Sequence, residues 1–212
     1  MIIFFDTVSP LPEFSLIEDN KIIYSSKLPI NDKVRMSDII ISSYKNLDKN
    51  YNVNNKLKGL IVNTGPGSYT ALRVGIAFLS GLSISKNIPL KGVSCIDLYK
   101  YTINKRDYRS VGIYIKSSNN QKFISYYDSY INEFKISKIE NNKILDLTKL
   151  NLTMIVGNSE LNLNELNFQN NNIYYKKFKF SELVENNLDK IFVNLSPQII
   201  KPIYFSENKI LN

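Results

Sequence analysis

Val62-Asn-Thr-Gly-Pro-Gly-Ser-Tyr-Thr-Ala-Leu-Arg-Val-Gly-Ile-Ala77 is the stretch on which the fold depends. A short apolar run, Gly59-Leu-Ile-Val62, leads into it. A Gly-Pro-Gly turn follows, and then a helix that opens at a Ser/Thr-rich entry. Glycines let the chain turn sharply and let backbone approach a ligand or other backbone closely. Ser68 or Thr70 is placed to cap the first N–H groups of the helix. A helix start carries partial positive charge and free donors, so an anion can sit there. Arg73, one turn inside, can add a charge-assisted bond. Gly65, Pro66, Gly67, Ser68, Thr70 and Arg73 are therefore the candidate binding residues. Generic phosphate motifs fit poorly. No Gly-Lys follows either glycine, as a P-loop requires. Thr70 holds the third place of Gly-x-Gly-x-x-Gly, and the next acidic residue is as distant as Asp97. Two readings stay open, a structural turn with a capped helix and an anion site.

Working outward, the helix pattern runs from Thr70 to about Lys86 and is ended by Asn87-Ile88-Pro89. Leu72, Val74, Ile76, Phe78, Leu79, Leu82 and Ile84 leave it no wide polar face, so it needs cover on two sides. Ala77, Gly81 and Ser85 recur every four positions and form a groove for close helix approach. Residues 33–47 predict another helix, also apolar on more than one side, through Val34, Met36, Ile39, Ile40, Ile41, Tyr44 and Leu47. Side by side, the two helices could be half of an inter-subunit bundle, or they could be buried inside one chain. Around them, residues 1–5, 14–18, 21–26, 59–62 and 90–94 read as strands. Asp19-Asn20 is a hairpin turn, and 96–103 a short helix. The first half thus reads βββαβαβα, an α/β layout in which a hairpin leads into parallel units.

The second half is less regular. Strands are expected at 111–116, 122–127, 131–137 and 154–156, with a turn at Asp128-Ser129. Helices are expected at Ser159–Leu166 and at Ser181–Lys190, the latter with Ser181 as N-cap. The Lys/Phe alternation of Lys176-Lys-Phe-Lys179 reads as an amphipathic strand with solvated lysines. The polar stretch Asn104-Lys-Arg-Asp107 is the candidate junction between a lobe at 1–104 and a smaller one at 105–212. The tail at 202–212 is apolar enough to pack back on the first lobe.

Composition narrows the chemistry. In 212 residues there are 27 Lys and Arg against 19 Asp and Glu, a net charge of +8, shared as +4 in residues 1–100 and +4 in 101–212. An even excess of this kind gives weak attraction to RNA without a binding stripe. There is no histidine, and Cys95 is the single cysteine. Ser-His-Asp and Cys-His nucleophiles, His-ligated zinc, cysteine clusters and an internal disulfide are therefore excluded. No stretch approaches the ~20 apolar residues of a membrane span, and Met1–Asp6 is a poor signal peptide.

The run Asn63-Thr-Gly-Pro-Gly-Ser-Tyr-Thr-Ala-Leu-Arg-Val-Gly resembles the Gly-Pro-Gly-Ser-Phe-Thr-Gly-Leu-Arg-Ile-Gly signature of the TsaB (YeaZ) family. Pro89-Leu-Lys-Gly-Val-Ser94, Asp6-Thr7 with Phe14-Ser-Leu16, and Lys201-Pro-Ile-Tyr204 are similar to further parts of that family. Close similarity covers about residues 58–95. Departures fall at Asn31–Arg35, at Ala71, and at Lys116–Phe123, where the family often carries Asp-Ala-Arg and Gly-Glu-Val-Tyr.

The resemblance implies a two-lobed actin-like, ribonuclease H-like α/β fold with mixed sheets flanked by helices. It implies a role in threonylcarbamoyl modification of the adenosine beside the anticodon of tRNA. The chain would be a non-catalytic cytoplasmic partner of a TsaD-like catalytic paralogue, joined by a TsaE-like ATPase and touching tRNA only indirectly. It would form a homodimer when the partner is absent. The expected interface is Ile39, Ile40, Leu72, Ile76, Leu79, Gly81 and Leu82. No catalytic residue, metal or tightly held cofactor is expected, with ATP or ADP at the subunit interface. The missing histidine separates the chain from the paralogue, which holds its metal with histidines. Two competing readings are a nucleotide-binding enzyme that turns Asp6 and Thr7 toward phosphate or Mg²⁺, and direct tRNA binding by the +8 surface.

Overall fold

A computed structural model describes residues 1–141, 143–169, 172–192, 200–206 and 209–211. The first lobe begins with β1 (Ile2–Asp6), β2 (Glu13–Glu18) and β3 (Lys21–Lys27). The β2–β3 turn is Asp19-Asn20, both at positive φ, as a two-residue hairpin of this chemistry requires. Next come α1 (Met36–Tyr51), a turn α2 (Val53–Lys56), β4 (Gly59–Asn63), α3 (Tyr69–Lys86), β5 (Leu90–Val93) and α4 (Cys95–Lys100). The sheet order is β3-β2-β1-β4-β5, antiparallel through β1 and parallel beyond it. Asn52 and Asn87, both left-handed, end α1 and α3.

The second lobe repeats this order. Its strands are β6 (Val111–Lys116), β7 (Lys122–Asp128), β8 (Glu133–Ile139), a short β9 (Leu145–Asp146), β10 (Met154–Gly157), a short β11 (Leu166–Asn167) and β12 (Tyr174–Lys177). The sheet runs β12-β10-β6-β7-β8, again antiparallel on one side of its first strand and parallel on the other. Helices α5 (Phe180–Glu185) and α6 (Leu188–Ile191) follow, and β13 (Tyr204–Ser206) pairs with β14 (Lys209–Leu211). This is the two-sheet mixed α/β fold expected from the resemblance.

Alternation along the central strands explains the layering. In β1, Ile3 and Phe5 face a core shared with α1 and α3, while Phe4 faces a second core between the lobes. In β4, Leu60 and Val62 take the first side and Ile61 the second. In the other lobe Val111, Ile113, Ile115 and Val156 join the inter-lobe core, while Tyr114 and Ile155 face outward to a third. A strand covered on both faces reads as a continuous apolar run, which is what both segments show. The terminal helices sit between the sheets: α4 packs on β6, and α5 on β1, β3 and α4.

Three expected elements differ. Ser159–Leu166 is not a helix; a single 3-10 turn, Leu163–Glu165, takes its place. Asn162 accepts a bond from the Asn164 N–H, and such local side-chain bonds compete with helix formation. The helix expected at Ser181–Lys190 is broken into α5 and α6, with Lys179 at the N-cap. Ser181 lies inside α5 because its hydroxyl is used elsewhere, donating to Glu13 Oε1 at 3.2 Å. Helix α1 starts at Met36 and runs one turn beyond Leu47; at its start the Arg35 N–H donates to Asp38 Oδ2 at 3.1 Å. Lys176 and Lys177 lie on the edge strand β12 and are exposed, as expected of solvated lysines.

Candidate functional site

Two regions carry the candidate residues: a polar knot where β1 and β4 end, and the outer face of α1 and α3. In the knot, one carboxylate oxygen of Asp6 accepts from Val8 N (2.9 Å), Ser9 N (3.2 Å) and Asn63 Nδ2 (3.3 Å). Asn63 Oδ1 accepts from Gly65 N and from the Cys95 thiol, each at 3.2 Å. Thr7 donates to Asn63 O at 2.7 Å. Asp6, Thr7, Val8, Asn63, Gly65 and Cys95 are buried, and Ser9 is half-buried. Burial pushes the Asp6 carboxyl up to about 6, against the lowering effect of its hydrogen bonds. Burial, and next the charge of Asp6, push the Cys95 thiol well above its ordinary range, so it stays a protonated donor. The Thr7 hydroxyl and one carboxylate oxygen of Asp6 are thus engaged by the chain itself.

Beside the knot lies an inter-lobe cleft of about 240 Å³. Asp6, Ser9, Glu13 and Lys27 line it from the first lobe, and Asn158, Lys177 and Lys179 from the second. Asn158 Nδ2 donates to Ser9 Oγ (3.2 Å) and Glu185 accepts from Ile22 N (2.6 Å), so polar bonds as well as packing join the lobes.

The signature turn packs largely against the chain itself. Gly65, which forms a cis bond with Pro66, and Pro66 itself are buried, and Gly67 packs on Val8. Ser68 is the N-cap of α3, but its side chain makes no capping bond, so that expectation is corrected; Thr70 is exposed. Arg73 Nε donates to the Tyr204 hydroxyl at 2.7 Å and its guanidinium lies 3.8 Å from the Tyr69 ring. The loop and its arginine are thus engaged by the chain itself. Gly75 has a plain structural reason: a Cβ there would lie 2.2 Å from Thr7, so the glycine lets α3 seat on the end of β1.

The expected interface residues divide. Ile40, Leu72, Ile76 and Leu79 are buried within this chain, so their contact area is internal. Ile39 and Leu82 are half-buried, and a Cβ at Gly81 would meet nothing within 4 Å. Ala77, Gly81 and Ser85 are all exposed, which puts the small-residue groove on the outside. Ile84 (82% exposed) shares that face of α3, and Ile41 (55%) is exposed on α1. Their exposure could not be read from a pattern apolar all round. Among the described residues no group of three His, Cys, Asp or Glu side chains converges to hold a metal, and no helix is long and apolar enough to cross a membrane.

Residues 31–208 match the family model described as TsaD: tRNA N6-adenosine threonylcarbamoyltransferase. Two solved structures from Pseudomonas aeruginosa are similar throughout. One is described as an uncharacterized protein with similarity to peptidase YEAZ; it is 14% identical, with a TM-score of 0.60 over 96% of this chain and 98% of its own. The other, YeaZ, is 13% identical, with a TM-score of 0.55 over 94% and 99%. At this identity they speak for the fold. No curated protein matches the chain. The match across most of the sequence means that this chain belongs to the TsaD family, and its two-lobed architecture is the fold of the YeaZ structures.

Proposed function

We propose that the chain is a non-catalytic partner subunit in the pathway that places a threonylcarbamoyl group on the adenosine next to the anticodon of tRNA. It binds and stabilises a TsaD-like paralogue through the outer faces of α1 and α3. A TsaE-like ATPase joins the complex in the cytoplasm, tRNA is touched through the partner, and ATP or ADP binds at the subunit interface. Without its partner the chain pairs with itself through the same face. The observation that carries this reading is the stripe Ala77-Gly81-Ser85 on α3, exposed together with Ile84 of the same helix, while α1 exposes Ile41. Small residues let a second helix approach closely, and exposed isoleucines supply apolar area to bury. The chemistry is consistent with a subunit that contributes burial and orientation. There is no histidine, the one cysteine is buried, and the Asp6 carboxylate is tied to its own loop.

Co-purification of the tagged chain with the TsaD of the same cell tests the proposal. A stable complex is expected, and recovery of the chain alone would contradict it.

The cleft supports a second reading, an independent nucleotide-binding enzyme, because Lys27, Lys177 and Lys179 line one wall system with Asp6. It is the weaker reading, since Lys177 is paired with Glu160 at 2.6 Å and burial favours neutral Asp6. Calorimetry with ATP and Mg²⁺ separates the two: tight binding and turnover without a partner would favour the enzyme.

A further inference from the structure

The signature turn is occupied, and its occupant is the C-terminal segment of the same chain. Ile203 N donates to Thr64 O at 2.7 Å. Gly65 sits at φ +111°, and a Cβ there would lie 2.8 Å from Ile203 O. A Cβ at Gly92 would lie 2.8 Å from the Thr64 methyl and 3.0 Å from the Ile200 side chain. Both glycines thus leave room for the passing segment, and Gly92 also for Thr64. Beyond Ile203, the Tyr204 ring packs on Tyr69 with centroids 4.6 Å apart, and its hydroxyl accepts from Arg73 Nε at 2.7 Å. Phe205 then crosses to the second lobe and rests on Phe123, 5.5 Å between centroids.

We infer that the Gly-Pro-Gly turn and the head of α3 form a peptide-binding groove whose ligand is the chain's own Ile200–Phe205 segment. Each part has a defined role. Thr64 O reads the backbone of the segment, as a strand edge reads an added strand. Gly65 and Gly92 form a floor without side chains. Tyr69 and Arg73 clamp one tyrosine by ring contact and a charge-assisted bond. The motif that resembles an anion cradle is in this chain an intramolecular receptor, and its ligand straps the second lobe to the first. The groove adjoins the exposed stripe of α3, since Arg73 lies one turn ahead of Ala77. Its occupancy therefore sets the cationic end of the proposed docking face. The inference needs no partner protein, so its failure and the failure of the docking proposal are separable.

Amide exchange on the isotope-labelled full chain tests it. The Ile203 amide should exchange at least about tenfold slower than an unprotected amide, because it is hydrogen-bonded in the folded chain. Tyr204→Phe, which removes one hydroxyl, and Arg73→Ala should each speed that exchange by about fivefold or more. The double variant should be no faster than the faster single one, because the two residues act as a pair. Millimolar inorganic phosphate should leave the Gly67 and Ser68 amide signals of the unmodified chain unmoved. An Ile203 amide exchanging at the unprotected rate would overturn the inference. So would exchange indifferent to both substitutions, or phosphate shifting the turn while the segment stays bound.

Discussion

The two lobes carry the same strand order but cover their outer faces with different material. On the first, α1 and α3 give 16- and 18-residue helices over a core of Ile3, Phe5, Leu60 and Leu79. On the second, the chain between β8 and β10, and between β10 and β12, forms no α-helix among the described residues. Leu147, Leu152 and Leu166, held on loops and short strands, close the core over Tyr114 and Ile155 instead. A long helix presents an ordered ridge to solvent, and the α3 ridge is small and apolar where Ala77, Gly81 and Ile84 emerge. The second lobe also exposes apolar side chains, Ile144 and Leu163, but on irregular backbone that offers no groove of helical pitch. A repeated fold can therefore keep its sheet, and with it the inter-lobe core, while only one copy covers its outer face with long helices.

The largest expected effect comes from equivalent truncations in the two outer cores. Leu79→Ala removes a fully buried side chain beneath α3 and should cost about 3–5 kcal/mol in urea unfolding. Leu166→Ala should cost less, about 2–3 kcal/mol, because a loop-borne plug can settle into the space. Equal costs would mean that the loops are as stiff as the helices.

Asp6 gives the next effect. Its folded pKa of about 6 lies above the ordinary 3.8, so the folded state binds the extra proton. Its contribution is therefore fully present below pH 3.8 and is lost as pH rises through about 6. Asp6→Asn keeps the acceptor oxygen and removes the charge. It should stabilise the chain at pH 7 by up to about 3 kcal/mol and flatten the stability profile between these pH values. Stability curves at a series of pH values check this, and a variant destabilised at pH 7 would mean that the ionised carboxylate is needed there.

Ser181→Ala removes a buried bond from α5 to Glu13 on the first lobe and should cost about 1–2 kcal/mol by the same assay. The smallest effect is the sharpest for the comparison. Gly81→Ala puts a methyl into open space on a helix, so it should raise stability by about 0.5–1 kcal/mol while weakening partner binding. If binding and stability move together, Gly81 is not in the docking groove.

Much of the first lobe was legible because its periods were clean. Alternation marked the hairpin with Asp19-Asn20, and Asn87-Ile88-Pro89 marked the end of α3. The second lobe was less so. In Ser159–Leu166, Asn162 bonds locally, and Leu161 and Leu166 pack on the third core from a loop and a short strand. The site was half legible. The small-residue groove could be read from spacing, but which apolar side chains of α3 turn inward is decided by the sheet beneath. The partner of Arg73 could not be read at all, since Tyr204 is 131 residues away and nothing local to the turn signals it.

The central claim is that the α1/α3 face docks a partner. It is tested most directly by titrating the TsaD of the same cell with the unmodified chain and with Gly81→Glu, each checked for its melting temperature. Because a side chain at Gly81 enters open space, the variant should melt within a few degrees of the unmodified chain and lose about 100-fold or more in affinity. Unchanged affinity in a folded Gly81→Glu chain would contradict the account.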